Sequence, residues 1–182
     1  MLKEFEKFAG VKILRYFLLH PEIEVHVKEL ARKLAIGPAT SKYYLDIFSE
    51  ENLFIVKKVG NVKVFSLDNQ NVYVKEIKRT FSLFFFKENG LDQLSEDNIS
   101  LAVYGSYASG EYDEKSDLDL IAVRYGKDKI NKDKILEFEN KIRKQIQLTE
   151  ISYHDWEKMK KDKKQFVYEV LSNHILIAGE EL

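Results

Sequence analysis

Along the first nineteen positions the apolar residues Phe5, Phe8, Val11, Leu14, Phe17 and Leu18 recur at three- and four-residue steps, which predicts one amphipathic helix over residues 2–19. His20 and Pro21 end it. Residues 24–27 are β-prone, and Val27, Leu30, Ala31 and Leu34 again share a helical face until Gly37 and Pro38 break the pattern. A third helix, capped by Thr40 or Ser41, is predicted through Tyr44, Leu45, Ile47 and Phe48 to about Asn52. The period then changes from helical to alternating. Residues 54–59 and 62–67 are β-branched and aromatic, and Gly60-Asn61 between them predicts a two-residue hairpin turn. Residues 72–87 read as a connecting helix, with Val72, Ile77, Phe81, Phe84 and Phe85 on one face and Glu88-Asn89-Gly90 as its end. Beyond it come a strand at 99–104, a turn, a strand at 118–123, a charged helix at 129–144 and a strand at 145–152. Short elements follow, including a helix capped by Asp155 and another over 166–171.

This order is α+β: residues 1–70, a connecting helix at 71–90, and a small α/β domain with a mixed sheet at 91–182. Three helices and a β-hairpin have the order of a winged helix-turn-helix. The string VKELARKLAIGPATSKYYLDIFSEENLFIVKKVGNVKVFSL also resembles the winged-helix domains of small bacterial and archaeal regulators. That resemblance puts Thr40, Ser41, Lys42 and Tyr43 at the start of a recognition helix, and Lys57, Lys58 and Lys63 on the wing, as candidates for duplex DNA. Winged helices also serve as dimerisation or protein-docking modules, and lysines suit any solvated hairpin edge.

Composition narrows the chemistry. Without cysteine, disulfides, zinc–thiolate sites and thiol nucleophiles are excluded, so any metal must sit on oxygen or imidazole. The four histidines are scattered without ligand spacing. Residues 1–90 carry 15 Lys/Arg against 11 Asp/Glu, and residues 91–182 carry 14 against 19. A basic half suits a polyanion and an acidic half suits a metal site. No apolar run approaches the roughly 20 residues of a membrane span, and the N-terminus lacks a signal-peptide pattern, so a cytoplasmic soluble protein with no membrane partner is expected. The run Phe81 to Phe86 asks for cover at a domain or subunit junction, which makes a homodimer plausible.

The chemistry concentrates in LAVYGSYASGEYDEKSDLDLIAV. An apolar strand runs into Gly105-Ser106, ten residues intervene, and Asp117-Leu118-Asp119 opens a second apolar strand. Glycine lets backbone approach a phosphate, and Ser106 can donate to phosphate oxygens. Asp117 and Asp119, two apart on a strand, project from one face while Leu118 turns to the core. Paired carboxylates repel one another and call for a divalent cation, Mg²⁺ or Mn²⁺, completed by phosphate oxygens.

This stretch closely resembles the DNA polymerase β-like nucleotidyltransferases, and especially their minimal branch, whose signature is Gly-Ser, ten residues, Asp, any residue, Asp. Ala108, Gly110 and Ser116 also match that branch. The resemblance spans roughly residues 98–180 and includes the tail FVYEVLSNHILIAGEE. It implies a nucleoside triphosphate held on Gly105, Ser106 and Ser116, with Asp117 and Asp119 as metal ligands and catalytic acids. It further implies an acceptor hydroxyl on a protein or RNA, and a HEPN-type toxin protein as partner in an antitoxin pair. Catalytic members place a third carboxylate on the next strand, between apolar residues. Here that triplet is Ile146-Gln147-Leu148, and a Gln is a poor Mg²⁺ ligand and no general base. Glu150 is the nearest acid, three positions on, which faces the wrong way unless a bulge intervenes. The rival reading is a DNA-binding regulator whose catalytically weak domain binds nucleotide. His154, Trp156, Arg124, Arg143, Lys144 and the lysine-rich run 158–164 read as surface or packing residues.

Overall fold

The computed structural model describes residues 5, 7–94, 99–126 and 129–182. The chain divides into two compact units, Met1–Lys78 and Arg79–Leu182, and the division falls within one helix. Secondary structure is mixed α and β in both. Among the described residues no helix is long and apolar enough to cross a membrane.

The first unit begins with helix α1 (Ala9–Leu19), followed by β1 (Val25–His26), α2 (Val27–Leu34), α3 (Pro38–Glu50), β2 (Phe54–Val59) and β3 (Val62–Leu67). Residues 1–4 and 6 of the predicted first helix lie outside the described residues. Ile13, Phe17 and Leu18 of α1 form its buried stripe with Leu30, Ala31 and Leu45 from α2 and α3. α1 and α3 pass so closely at Gly10 that a Cβ there would stand 2.7 Å from the Tyr44 ring. α3 starts earlier than its expected caps, because Gly37 is the N-cap and Pro38 fits the first helical position, where an N–H would have no partner. β2 and β3 form the predicted hairpin, closed by the pair Val59–Val62, and β1 adds to β3 in the order β1-β3-β2.

Helix α4 (Val72–Asn89) leads through a 3₁₀ turn (Leu91–Leu94) into the second unit. There follow β4 (Ile99–Tyr104), α5 (Gly105–Ser109), β5 (Leu118–Arg124), α6 (Lys132–Ile142), β6 (Ile146–Ser152), α7 (Tyr153–Lys161), α8 (Gln165–Ser172) and β7 (Ile175–Ala178). The sheet order is β6-β5-β4-β7, mixed as expected, with only β5 and β6 parallel. β7 is an edge strand that the sequence pattern did not announce. α6 starts later than predicted because Asn131 caps it, accepting from the Asp133 N–H at 2.8 Å. Ser152, rather than Asp155, caps α7: its Oγ accepts from the Asp155 N–H at 3.1 Å and donates to the Asp155 carboxylate at 2.6 Å.

The sheet is covered on both faces. One cluster joins Leu101, Val103, Leu118, Leu120 and Ala122 to Phe86, Phe138 and Ile142; the other joins Ala102, Ile121 and Val123 to Trp156, Val167 and Val170. Burial on both faces is why β4 and β5 read as continuous apolar runs. The end of the aromatic run of α4 finds cover within the unit: Phe86 meets Tyr107 edge-on at 5.0 Å and Phe138 at 6.2 Å, and Phe85 packs on the same cluster, while Leu83 and Phe84 stay half-buried.

Candidate functional site

The residues that carry chemistry gather where β4 ends and β5 begins. Tyr104 and Asp119 stand opposite each other in the β4–β5 ladder, and the chain leaves β4 through Gly105 into α5. Gly105 has φ +69°, and a Cβ built on it would collide with a carboxylate oxygen of Asp119. Glycine is required there twice, for its left-handed backbone and for its lack of bulk. No side chain caps α5, which opens at Gly105 beside the Asp119 carboxylate.

Leu118 is fully buried between Asp117 and Asp119, both half-buried, so the two carboxylates share the face that carries Ile121 and Val123 further along. Burial, and then the neighbouring charge of Asp117, hold the Asp119 carboxyl above the usual carboxylate range. A cation would relieve both effects. The donor set fits a divalent ion whose remaining positions are filled by phosphate oxygens and water, with Asp117 and Asp119 as the protein ligands.

The loop that delivers Asp117 is tied internally. The Asp113 N–H donates to Ser116 Oγ, which donates back to Asp113 Oδ1, each at 2.9 Å, and the Lys115 N–H reaches the same carboxylate oxygen at 2.8 Å. The Ser116 hydroxyl first, and then the Lys115 N–H, hold the Asp113 carboxyl below its usual range. Ser116 is thus engaged in the turn before Asp117. Lys144 clamps the loop, its ammonium donating to the carbonyls of Asp113 at 3.4 Å and Glu114 at 2.6 Å. Beneath lie Tyr107 and Tyr112, stacked at 4.4 Å, whose phenols are pushed up chiefly by burial.

β6 settles where Gln147 and Glu150 go. Its parallel register with β5 steps evenly from Leu118↔Ile146 to Arg124↔Ser152, so no bulge intervenes. Gln147 pairs with Asp119, and its amide donates to Asp117 Oδ2 at 2.9 Å. Glu150 falls beside Ala122 on the opposite face and accepts from the Ile130 N–H at 3.0 Å. The structure therefore does not bring Glu150 to the aspartate pair. Among the described residues no three Asp, Glu or His side chains gather as a cation site.

The family model of the nucleotidyltransferase domain matches residues 87–177, half of the chain. The chain belongs to that family. The matched span runs from the end of α4 through β7 and contains Gly105, Ser106, Asp117 and Asp119, so the nucleotidyltransferase domain and the second compact unit largely coincide. Among curated proteins, no match to the chain is found. Within the nucleotidyltransferase domain, residue type alone could not reveal that Gln147 touches Asp117 or that Lys144 holds carbonyls, because both depend on the course of a side chain across neighbouring segments.

The residues expected at DNA lie in the other unit and are not equivalent. Ser41 is fully buried and donates to the Val27 carbonyl at 3.4 Å, which removes it from any outer surface; Thr40 is half-buried. Lys42 is exposed but paired with Asp46 at 2.6 Å, and Tyr43 is 61% exposed. Lys58 and Lys63 stand directly opposite each other on the hairpin, while Lys57 pairs with Glu24 at 2.6 Å. Lys63 also borders a shallow groove with Asp46, Ser49, Glu50 and Val56.

Proposed function

We propose that the second unit binds a nucleoside triphosphate with Mg²⁺ or Mn²⁺ and transfers a nucleotidyl group to an acceptor hydroxyl on a protein or RNA. The observation that carries this reading is the seating of Gly105 on the Asp119 carboxylate. Backbone that can approach phosphate lies against an acid that can hold the phosphate's cation, with Asp117 beside it. The metal would orient the triphosphate and neutralise charge developing on pyrophosphate, while Ser106 and the N–H groups at the start of α5 hold its oxygens. Family resemblance adds an antitoxin role toward a HEPN-type protein as the acceptor to test first.

A second reading follows from Gln147, which supplies no third acid: the domain senses nucleotide and the first unit, as a winged helix, binds duplex DNA through Lys42, Tyr43, Lys58 and Lys63. Labelled ATP, CTP, GTP and UTP with Mg²⁺ or Mn²⁺ and candidate acceptors, beside Asp117→Asn/Asp119→Asn, separate the two. Label transfer lost in the double variant supports the transferase. Absence of transfer together with salt-sensitive duplex binding supports the regulator.

A further inference from the structure

Gln147, itself exposed, lies on the sheet face of the aspartate pair, opposite Asp119 in the ladder, and one of its amide N–H groups donates to Asp117 Oδ2 at 2.9 Å. That contact orients one carboxylate without adding charge, and Gln147 brings no anion of its own to the pair. The nearest acid on the strand, Glu150, is held on the other face by the Ile130 N–H. Two divalent cations a few ångströms apart need anionic ligands that bridge and flank them, since each ion's repulsion of the other must be offset. Two carboxylates, one already engaged by an amide, fall short of that set.

We infer that Gln147 makes this a one-cation site: the aspartate pair accepts the cation that arrives with the triphosphate and has no place for a second. The inference rests on the triphosphate reading of the same site. Gln147 acts as a positioning residue for Asp117, and nucleotide retention and turnover become separable properties of the domain, with the first built and the second lacking metal help at the attacking hydroxyl.

The full chain is dialysed to equilibrium against Mn²⁺ with each α,β-methylene nucleoside triphosphate in turn, and protein-bound Mn²⁺ is counted by metal analysis as the excess over the protein-free compartment. The wild type is expected to retain one Mn²⁺ per chain with nucleotide, Gln147→Ala one, and Gln147→Asp and Gln147→Glu two. The thermal midpoint gives a second readout. Added Mn²⁺ should raise it more in the acidic variants than in the wild type, which also shows that those variants fold. Two Mn²⁺ in the wild type, or one in both acidic variants, overturns the inference while leaving the triphosphate reading intact. Retention of neither nucleotide nor Mn²⁺ by the wild type overturns both.

Discussion

The two sheets of this protein treat charge in opposite ways. In the first unit the β2–β3 hairpin is largely solvent-exposed, with Val59 at 57% and Val62 at 49%, and two lysines face each other across it. In the second unit β5 is buried on both faces, and Leu118, Leu120, Ile121, Ala122 and Val123 are all fully inaccessible. On the hairpin a charge is cheap, because water solvates it, so its presence says little about purpose. At the head of β5 a pair of acids must be offset by something, so their presence says a good deal. The family match falls on the unit where charge is costly.

The sharpest way to break this comparison is to remove apolar volume from each sheet. Leu120→Ala should destabilise the second unit by about 3–4 kcal/mol, as cavity-forming substitutions do, whereas Val59→Ala should stay within about 0.5 kcal/mol. Urea denaturation of both variants checks it, and equal losses would show that the hairpin is as well covered as β5. The next largest effect separates two close-packed glycines. Gly105→Ala forces a left-handed backbone and a collision with the Asp119 carboxylate, at a cost of roughly 2–3 kcal/mol, and should abolish triphosphate retention. Gly10→Ala keeps a helical backbone but presses on a Tyr44 ring packed against Tyr43 and Phe48, so it should cost about 1–2 kcal/mol and leave triphosphate retention intact.

Those two glycines also show how far the sequence reached. Gly105 was legible because an apolar strand, Gly-Ser, a ten-residue gap and an Asp-x-Asp are each local patterns, and local patterns survive folding. Gly10 was not, since nothing nearby announces that Tyr44, thirty-four positions on, will press against it. The parity of Glu150 was readable from strand alternation alone, and the unbroken register of β6 now places it away from the pair. The N-termini of α3 and α6 were misplaced by a few residues, because Gly37 and Asn131 competed with neighbouring residues for the cap. β7 went unseen because a four-residue edge strand has too few alternations to register a period.

A smaller effect compares Asp113 of the loop with Asp119 of β5, whose carboxyls shift in opposite directions. Asp119 is raised in the folded state, so its favourable contribution is present below the ordinary Asp range, near pH 4, and is lost as pH rises through the folded value. Asp119→Asn, which stays neutral, should therefore melt above the wild type at pH 7 without ligand, with the gap closing in acid. Asp113 is lowered, so its contribution is present above the ordinary Asp value and lost as pH falls through the folded one. Asp113→Asn should melt below the wild type at pH 7, again converging in acid. Thermal melts from pH 3 to pH 8 check both signs, and with Mg²⁺ and the triphosphate analogue bound, the order of Asp119→Asn and wild type should reverse.

The smallest stability effect returns to the hairpin. Lys58→Glu sets an acid opposite Lys63 in place of a like charge, and an exposed cross-strand pair of this kind should stabilise the unit by a few tenths of a kcal/mol to about 1 kcal/mol. Its value lies in a second measurement that moves the other way. If Lys58 meets phosphate, duplex binding should weaken for every sequence tried, and the slope of log affinity against log salt should flatten by about one unit or more. A variant that gains stability yet binds duplex with an unchanged salt slope would leave Lys58 as an ordinary solvated lysine. The like-charge pair on the hairpin would then need no polyanion to explain it, because on an exposed strand the repulsion between two lysines is small enough for water and salt to absorb.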